Sequence, residues 1–205
     1  MKERGFFTRQ NVRRTELVVL ALLLVFLGVM GRFVLGGYPN IETVMVATFL
    51  VALLVDKRAA FVFPLIIMTL SDYLMGHEMF ALSGMGTIWL FTYSGFALIY
   101  LLSRHKGEGI KADLGKLNPR GALNAAGYGI GFALVYDLWT NVGAWLLMYP
   151  HTLEGLILCY TMAIPFMLYH MLSGAVTFVS LALPFVSLYS EETKAGAEQP
   201  AESTA

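Results

Sequence analysis

The sequence predicts an all-α integral membrane protein that crosses the bilayer about six times, with both termini in the cytoplasm. The composition, the lengths of the apolar segments and the positions of the basic residues support this prediction. Of the 205 residues, 57% are hydrophobic and only 14% are charged, whereas a soluble domain carries about 25% charged residues. The chain therefore has too few charges to cover the surface of a soluble domain.

The apolar segments give the predicted spans, since a spanning helix needs about 20 mostly apolar residues. The first five spans cover residues 17–36, 41–55, 59–75, 84–102 and 122–148. The last apolar stretch, residues 153–189, is too long for one span and contains Pro165. Because proline breaks or kinks a helix, we expect a short half-buried helix over residues 153–164 and a sixth span over residues 166–188.

The two ends of the chain are polar and flank a transmembrane domain of residues 17–189. Residues 1–16 are predicted to form a basic cytoplasmic N-terminus. The apolar run that follows is longer than the core of a signal peptide and has no cleavage site after it, so we interpret it as a retained span. Residues 190–205 are rich in Glu, Ala, Ser and Thr, which predicts a disordered cytoplasmic tail.

The basic residues predict the orientation, because Lys and Arg accumulate in cytoplasmic loops. In the six-span model, 13 of the 14 basic residues lie on one side of the membrane. They precede span one, join spans two and three, join spans four and five, or lie in the tail. The exception is Arg32, near the outer end of span one. We expect a multi-pass protein of the plasma membrane.

Charged side chains within spans typically cost about 2.5–3.5 kcal/mol each, so they usually face a protein cavity or one another. Five such residues lie near or within membrane depth: Arg32, Glu42, Asp72, Glu78 and Asp137. The first four fall toward the outer half of the bilayer, and Asp137 lies deeper in span five. This clustering predicts a binding site near the outer face.

Span five carries the clearest polar pattern. Asp137, Asn141 and Trp145 are spaced by four, which places a carboxylate, an amide and an indole on one helix face. Such a face suits the wall of a polar and aromatic pocket. The predicted substrate-binding residues are Arg32, Asn40, Glu42, Asp72, Asp137, Asn141 and Trp145. Because both signs of charge are present, the charge of the ligand stays open.

Structural interpretations of the same residues also stay open. Arg32 and Glu42 could extend to the interface, and Asp72 could form an ion pair with Arg32. Trp145 could belong to an aromatic belt at the membrane boundary. The Gly127-x-x-x-Gly131 pattern is expected to let a neighbouring helix pack closely.

Several kinds of chemistry have no sequence support, and we predict no catalytic residue, metal or cofactor. Residues 109–116 resemble a phosphate loop but have one residue too many, and Leu117 replaces the required Ser or Thr. The four histidines form no His-x-x-x-His pair. The basic loop 104–120 has few aromatic residues, which argues against nucleic-acid binding. Cys159, the one cysteine, is predicted to be an inert buried thiol.

A succession of short motifs carries a family resemblance. The motifs are RFVLGGYPNIE at 32–42, PLIIMTLSDYLMG at 64–76, DLWTNVGAW at 137–145, YPHTLEGL at 149–156 and CYTMAIPF at 159–166. Together they resemble the substrate-binding membrane subunits, or S components, of energy-coupling factor (ECF) transporters, over about residues 17–187. The pieces Thr-Asn-x-Gly-x-Trp and Ala-Ile-Pro-Phe are the most distinctive.

The resemblance implies a six-helix protein, not itself an enzyme, that captures a vitamin, a vitamin precursor or a metal-related solute at the outer face. It also implies a membrane-embedded coupling subunit and a pair of ATPases as partners. One feature departs from the family: an Ala-x-x-x-Ala patch usually lies on the first helix, but here Ala21 is followed by Val25.

Two other function classes remain in competition with transport. One is a membrane-embedded enzyme that uses Asp72 and Asp137 as acid and base on a lipid-like substrate. The other is a structural or assembly protein without a small ligand. The directions in which the polar side chains point would separate these classes.

Overall fold

The computed structural model describes residues 9–35, 37, 43–55, 61–77, 80 and 87–198, and the regular structure within them is helical. The helices are α1 (Arg9–Leu35), α2 (Val44–Leu54), α3 (Val62–Leu74), α4 (Trp89–His105), α5 (Gly107–Leu114), α6 (Pro119–Met148), α7 (Leu153–Thr177) and α8 (Leu183–Glu198). A π-helical turn, Phe178–Ala182, joins α7 to α8.

Among the described residues, three helices are long and apolar enough to cross a membrane. They are Val18–Leu35 within α1, Pro119–Met148, and the continuous helix Leu153–Glu191. Large apolar side chains project outward from them: Phe26 is 63% exposed and Leu172 is 63% exposed. An outer surface of this kind suits contact with lipid, where helices satisfy their own backbone hydrogen bonds. The chain is a helical membrane protein, as the composition predicts.

Helix α2 is the centre of the bundle. All of its 11 residues are buried, and it packs against α1, α3 and α4. A helix that is apolar on every side is buried in this way. At 1.5 Å per residue it is about 17 Å long, well short of the roughly 30 Å hydrocarbon layer. Helix α2, within the second predicted span, is therefore a core helix, and none of its 11 residues faces lipid.

Contacts at one end of the bundle, here called the Arg32 end, connect the first four helices to one another. Thr43, just before α2, donates its hydroxyl to the Leu27 carbonyl of α1, with the oxygens 2.7 Å apart. Arg32 near the end of α1 contacts Asp72 near the end of α3. Tyr93 near the start of α4 also reaches Asp72.

Contacts at the opposite end, here called the Ser190 end, connect α2 to α5 and connect α5 and α6 to α8. Leu53 near the end of α2 lies close to Gly107 at the start of α5. Gly115, just after α5, lies beside Ser190 of α8, and Gly121 near the start of α6 lies beside Leu183. The long helices therefore run alternately between the two ends.

Pro165 does not break the last helix, and this corrects the expected separate helix over residues 153–164. Pro165 lies inside α7, which continues from Leu153 to Thr177. A proline leaves one helical carbonyl without its N–H partner, but such sites are tolerated in membrane helices because neighbouring groups compensate. The irregular turn comes later, where Phe178 is fully buried and packs against Phe49 with ring centroids 4.7 Å apart.

The chain ends are more helical than expected where they are described. Helix α1 begins at Arg9, inside the predicted basic N-terminus, and α8 continues to Glu198, inside the predicted tail. Residues 1–8 and 199–205 of these two segments lie outside the described residues.

Helices α6 and α7 approach closely at Gly129 and Gly174. A Cβ atom on Gly129 would collide with the Gly174 carbonyl oxygen, and one on Gly174 would lie 2.5 Å from the Gly129 carbonyl oxygen. A Cβ atom added to Gly127 or Gly131 would instead have no atom of another helix within 4 Å. The expected close packing therefore occurs on another face of α6, since the two helices meet backbone to backbone at Gly129.

This contact predicts that Gly129→Ala destabilises the protein by about 1–3 kcal/mol, as overpacking does. The added methyl group meets a backbone carbonyl, which cannot move without separating the helices. Gly127→Ala is the matched control, because its methyl group meets open space. The measurement is thermal unfolding of the purified protein in detergent. Equal unfolding temperatures for the two variants would contradict the packing described.

Candidate functional site

The polar side chains near the Arg32 end form two groups on either side of α4. The first, here called the arginine cluster, consists of Arg32, Ser71, Asp72, His77 and Tyr93. The second surrounds a cavity between α4, α6 and α7, here called the α6–α7 cavity. Neighbouring residues of α4 serve the two groups, because Tyr93 belongs to the arginine cluster and Thr92 lines the cavity.

The arginine cluster ties three helices together through Asp72. Arg32 Nη1 lies 2.5 Å from Asp72 Oδ1 and donates to Ser71 Oγ at 2.8 Å. The Tyr93 hydroxyl donates to Asp72 Oδ2 at 2.9 Å, and His77 Nδ1 lies 3.3 Å from Asp72 Oδ1. Both carboxylate oxygens are therefore occupied. This is the ion pair that the structural interpretation of Asp72 expects.

A second buried pair joins α6 to α7. Asp137 Oδ1 lies 2.7 Å from His170 Nδ1, and the two residues are only 5% and 4% exposed. The Tyr136 ring meets the His170 ring edge-on, with centroids 5.5 Å apart. The other carboxylate oxygen, Asp137 Oδ2, is buried and has no hydrogen-bond partner among the described residues. An unpaired buried acceptor is costly, so a hydrogen-bond donor that reached this oxygen would stabilise it.

The α6–α7 cavity lies beside this pair and has a volume of about 460 Å³, within the range of roughly 300–1,000 Å³ typical of small-molecule sites. Its polar lining includes Thr92, Asp137, Thr140 and Asn141, and its apolar lining includes Met148, Met162, Phe166 and Met167. Met162 is 59% exposed and Phe166 is 51% exposed. The cavity therefore reaches the surface of the bundle along α7.

Three neutral polar side chains of this lining donate protons to nearby backbone carbonyls. Thr92 Oγ1 donates to the Trp89 carbonyl at 3.0 Å, and Thr140 Oγ1 donates to the Tyr136 carbonyl at 3.1 Å. Asn141 Nδ2 donates to the Asp137 carbonyl at 2.7 Å. Such local bonds are common for these residue types within helices. The oxygen atoms of these three side chains remain as acceptors for a ligand in the cavity, and Asn141 keeps a second N–H donor.

The structure brings together only part of the predicted site. Asp137 and Asn141 line the cavity, as their spacing of four predicts. Arg32 and Asp72 belong to the arginine cluster and are not among the cavity-lining residues.

Trp145 is the third residue on the predicted polar face of α6, and its side chain contacts the loop that follows α6. Its Nε1 donates to the Pro150 carbonyl at 3.0 Å, and its ring lies edge-on to His151. It is not among the lining residues of the cavity. Asn40 and Glu42, the remaining predicted site residues, lie outside the described residues.

Sequence reasoning missed His170, Tyr93 and Thr140. His170 is a titratable residue within an apolar segment, and the rule that singles out Asp137 at membrane depth would have found it. Tyr93 and Thr140 carry no comparable signal, because hydroxyl groups are common in spanning helices. Cys159 is buried, as predicted, and lines the cavity. In the described part of the chain, no group of three or more His, Cys, Asp or Glu residues could hold a metal ion.

The arginine cluster predicts a strong energetic dependence between Arg32 and Asp72. Arg32→Met should leave the Asp72 carboxylate without its cation, and Asp72→Leu should leave the guanidinium without its anion. Each single change should destabilise the fold by about 3–5 kcal/mol, whereas the double variant should recover most of that loss. Thermal unfolding of all four proteins in the same detergent measures this coupling. Additive losses in the double variant would show that the two side chains act independently.

Comparison with known proteins identifies a family. No curated protein and no solved structure matches the chain. One family model, described as "Family of unknown function (DUF6580)", matches residues 11–197. The match takes in the arginine cluster, the α6–α7 cavity and almost all of the helical bundle. The chain therefore belongs to this family of unknown function, DUF6580.

Proposed function

We propose that the protein is the substrate-binding membrane subunit of an ECF-type uptake transporter and captures a small solute at the outer face of the plasma membrane. The observation that carries this proposal is the α6–α7 cavity. One of the residues that line it, Asp137, has a carboxylate oxygen without a partner among the described residues. A pocket with a few convergent polar groups is the arrangement expected of a small-molecule site.

The position of the cavity supports uptake from outside. Basic residues gather at the Ser190 end, where α1 begins at Arg9, α4 ends near Arg104 and α6 begins near Arg120. In the proposed six-crossing topology that end is cytoplasmic. The cavity reaches Thr92 near the start of α4 and Tyr149 just after α6, so in this topology it lies toward the outer face.

The proposed partners are a membrane coupling subunit and a pair of ATPases. Residues 109–114 of the segment that resembles a phosphate loop lie in helix α5, so in this proposal ATP is hydrolysed by the partners. Ala21 is 5% exposed and faces the bundle, whereas Leu22 is 62% exposed and Phe26 is 63% exposed. A coupling subunit that docks on α1 would therefore meet large apolar side chains in place of an alanine patch.

The geometry gives less support to a membrane-embedded enzyme. That alternative needs Asp72 and Asp137 to share one cleft. Asp72 has both oxygens occupied in the arginine cluster, and it is not among the cavity-lining residues.

The pairing of Arg32 with Asp72 and of Asp137 with His170 is the observation that favours the third class, an assembly protein without a small ligand. Such a protein predicts that the polar residues pair among themselves and leave no cavity. The α6–α7 cavity and the unpartnered Asp137 oxygen distinguish the transport proposal from it.

The binding proposal predicts that a small molecule co-purifies with the protein from native membranes and is detected by mass spectrometry. Ala144→Phe should reduce the amount retained at least about tenfold, because Ala144 lines the cavity and the added ring fills it. Ala112→Phe is the control, since Ala112 is exposed on α5. A molecule retained equally by both variants binds elsewhere, and no retained molecule in the unaltered protein would contradict the proposal.

A further inference from the structure

We infer that the α6–α7 cavity binds an organic cation, namely a protonated amine attached to an apolar body. This inference rests on the proposed function and deepens it, because the sequence leaves the charge of the ligand open. It depends on three features of the cavity: its formal charge, its hydrogen-bonding capacity and its apolar wall.

The formal charge favours a cation. Asp137 is the charged residue among the described lining residues. The Arg32 guanidinium, which would attract an anion, is bound to Asp72 and Ser71 in the arginine cluster. His170 contacts the Oδ1 oxygen of Asp137 and is not among the lining residues. An anionic ligand would therefore meet a carboxylate in a medium that screens charge weakly.

The hydrogen-bonding groups favour a ligand that donates. Asp137 Oδ2 accepts no hydrogen bond from the described residues. Thr92, Thr140 and Asn141 donate to backbone carbonyls and so present acceptor oxygens. An ammonium group carries up to three N–H donors, and charge-assisted bonds to a carboxylate are the stronger kind. The head group that fits these acceptors is a protonated amine.

The apolar wall favours an organic body over a bare metal ion. Met148, Met162 and Met167 are flexible thioethers that adapt to an irregular apolar surface. Phe166 adds an aromatic ring, and aromatic rings also attract cations. A hard metal ion such as Ca²⁺ needs about six to eight oxygen ligands, whereas one carboxylate lines this cavity among the described residues.

Three indoles with the same ring and different head groups test the inference: tryptamine is cationic, tryptophol is neutral and indole-3-acetate is anionic at pH 7. Binding to the purified full-length protein in detergent is measured by equilibrium dialysis, with thermal shift as a second readout. Tryptamine should bind at least about tenfold more tightly than tryptophol, and indole-3-acetate should not bind.

Variants of the lining residues test whether tryptamine binds through Asp137 and Thr140. Asp137→Asn should lower tryptamine affinity at least about tenfold, to that of tryptophol. Asp113→Asn is the matched control, because Asp113 is an exposed carboxylate that accepts from Tyr128 outside the cavity. Thr140→Val removes a neutral acceptor without changing the formal charge, and it should weaken tryptamine several-fold. This second variant keeps the test decisive if Asp137→Asn does not fold.

The outcomes separate this inference from the proposed function. If indole-3-acetate binds and Ala144→Phe abolishes that binding, the cavity is a ligand site but the cation inference is wrong. Unchanged tryptamine binding in both Asp137→Asn and Thr140→Val would overturn the inference, and so would the absence of binding by all three indoles at millimolar concentration. The proposed function would then stand or fall on the co-purification experiment alone.

Discussion

The contact between Asp137 and His170 is the interaction on which the site depends. It fixes a carboxylate inside an apolar bundle, where an isolated charge would be costly, and it connects α6 to α7 at 2.7 Å. Closer to the Ser190 end, the same two helices meet backbone to backbone at Gly129 and Gly174. Beyond α6, the Trp145 indole holds the connecting loop at the Pro150 carbonyl. The cavity occupies the space between these attachments, so its shape follows from how the helix pair is fastened at each end.

On the other side of α4, the Asp72 carboxylate also needs partners inside the bundle, but it is paired through both of its oxygens. Asp72 uses both oxygens, on Arg32 and Tyr93, whereas Asp137 uses only Oδ1 among the described residues. The first carboxylate connects three helices, and the second belongs to a residue that lines the cavity and has one oxygen without a partner among the described residues. Sequence reasoning treats the two as members of one site because both lie at membrane depth. Depth follows from position along a span, but the direction in which a side chain points depends on how each helix is rotated, and rotation is set by packing.

Residue spacing within one helix therefore predicts which side chains share a face, but the sequence does not predict which side chains of different helices meet. The spacing of Asp137 and Asn141 placed both on one face of α6, and both line the cavity. His170 lies 33 positions from its partner, and no pattern along the chain links them. Pro165 was expected to end a helix, yet α7 continues through it, because a bundle can compensate for one missing N–H. The fold class followed from composition, whereas the core position of α2 depends on neighbours that the sequence does not identify.

The walls of the cavity differ in how firmly they are held, and this difference bears on how a ligand could reach Asp137. Helix α4 is fixed by Tyr93 in the arginine cluster and by its packing against α2 and α6. Helix α7 packs chiefly against α6, and its side chains at Met162 and Phe166 are exposed. Segments with few buried apolar contacts open at the lowest free-energy cost. We therefore expect a ligand to displace side chains of α7 while α4 keeps its position, since moving α4 would also disrupt the arginine cluster.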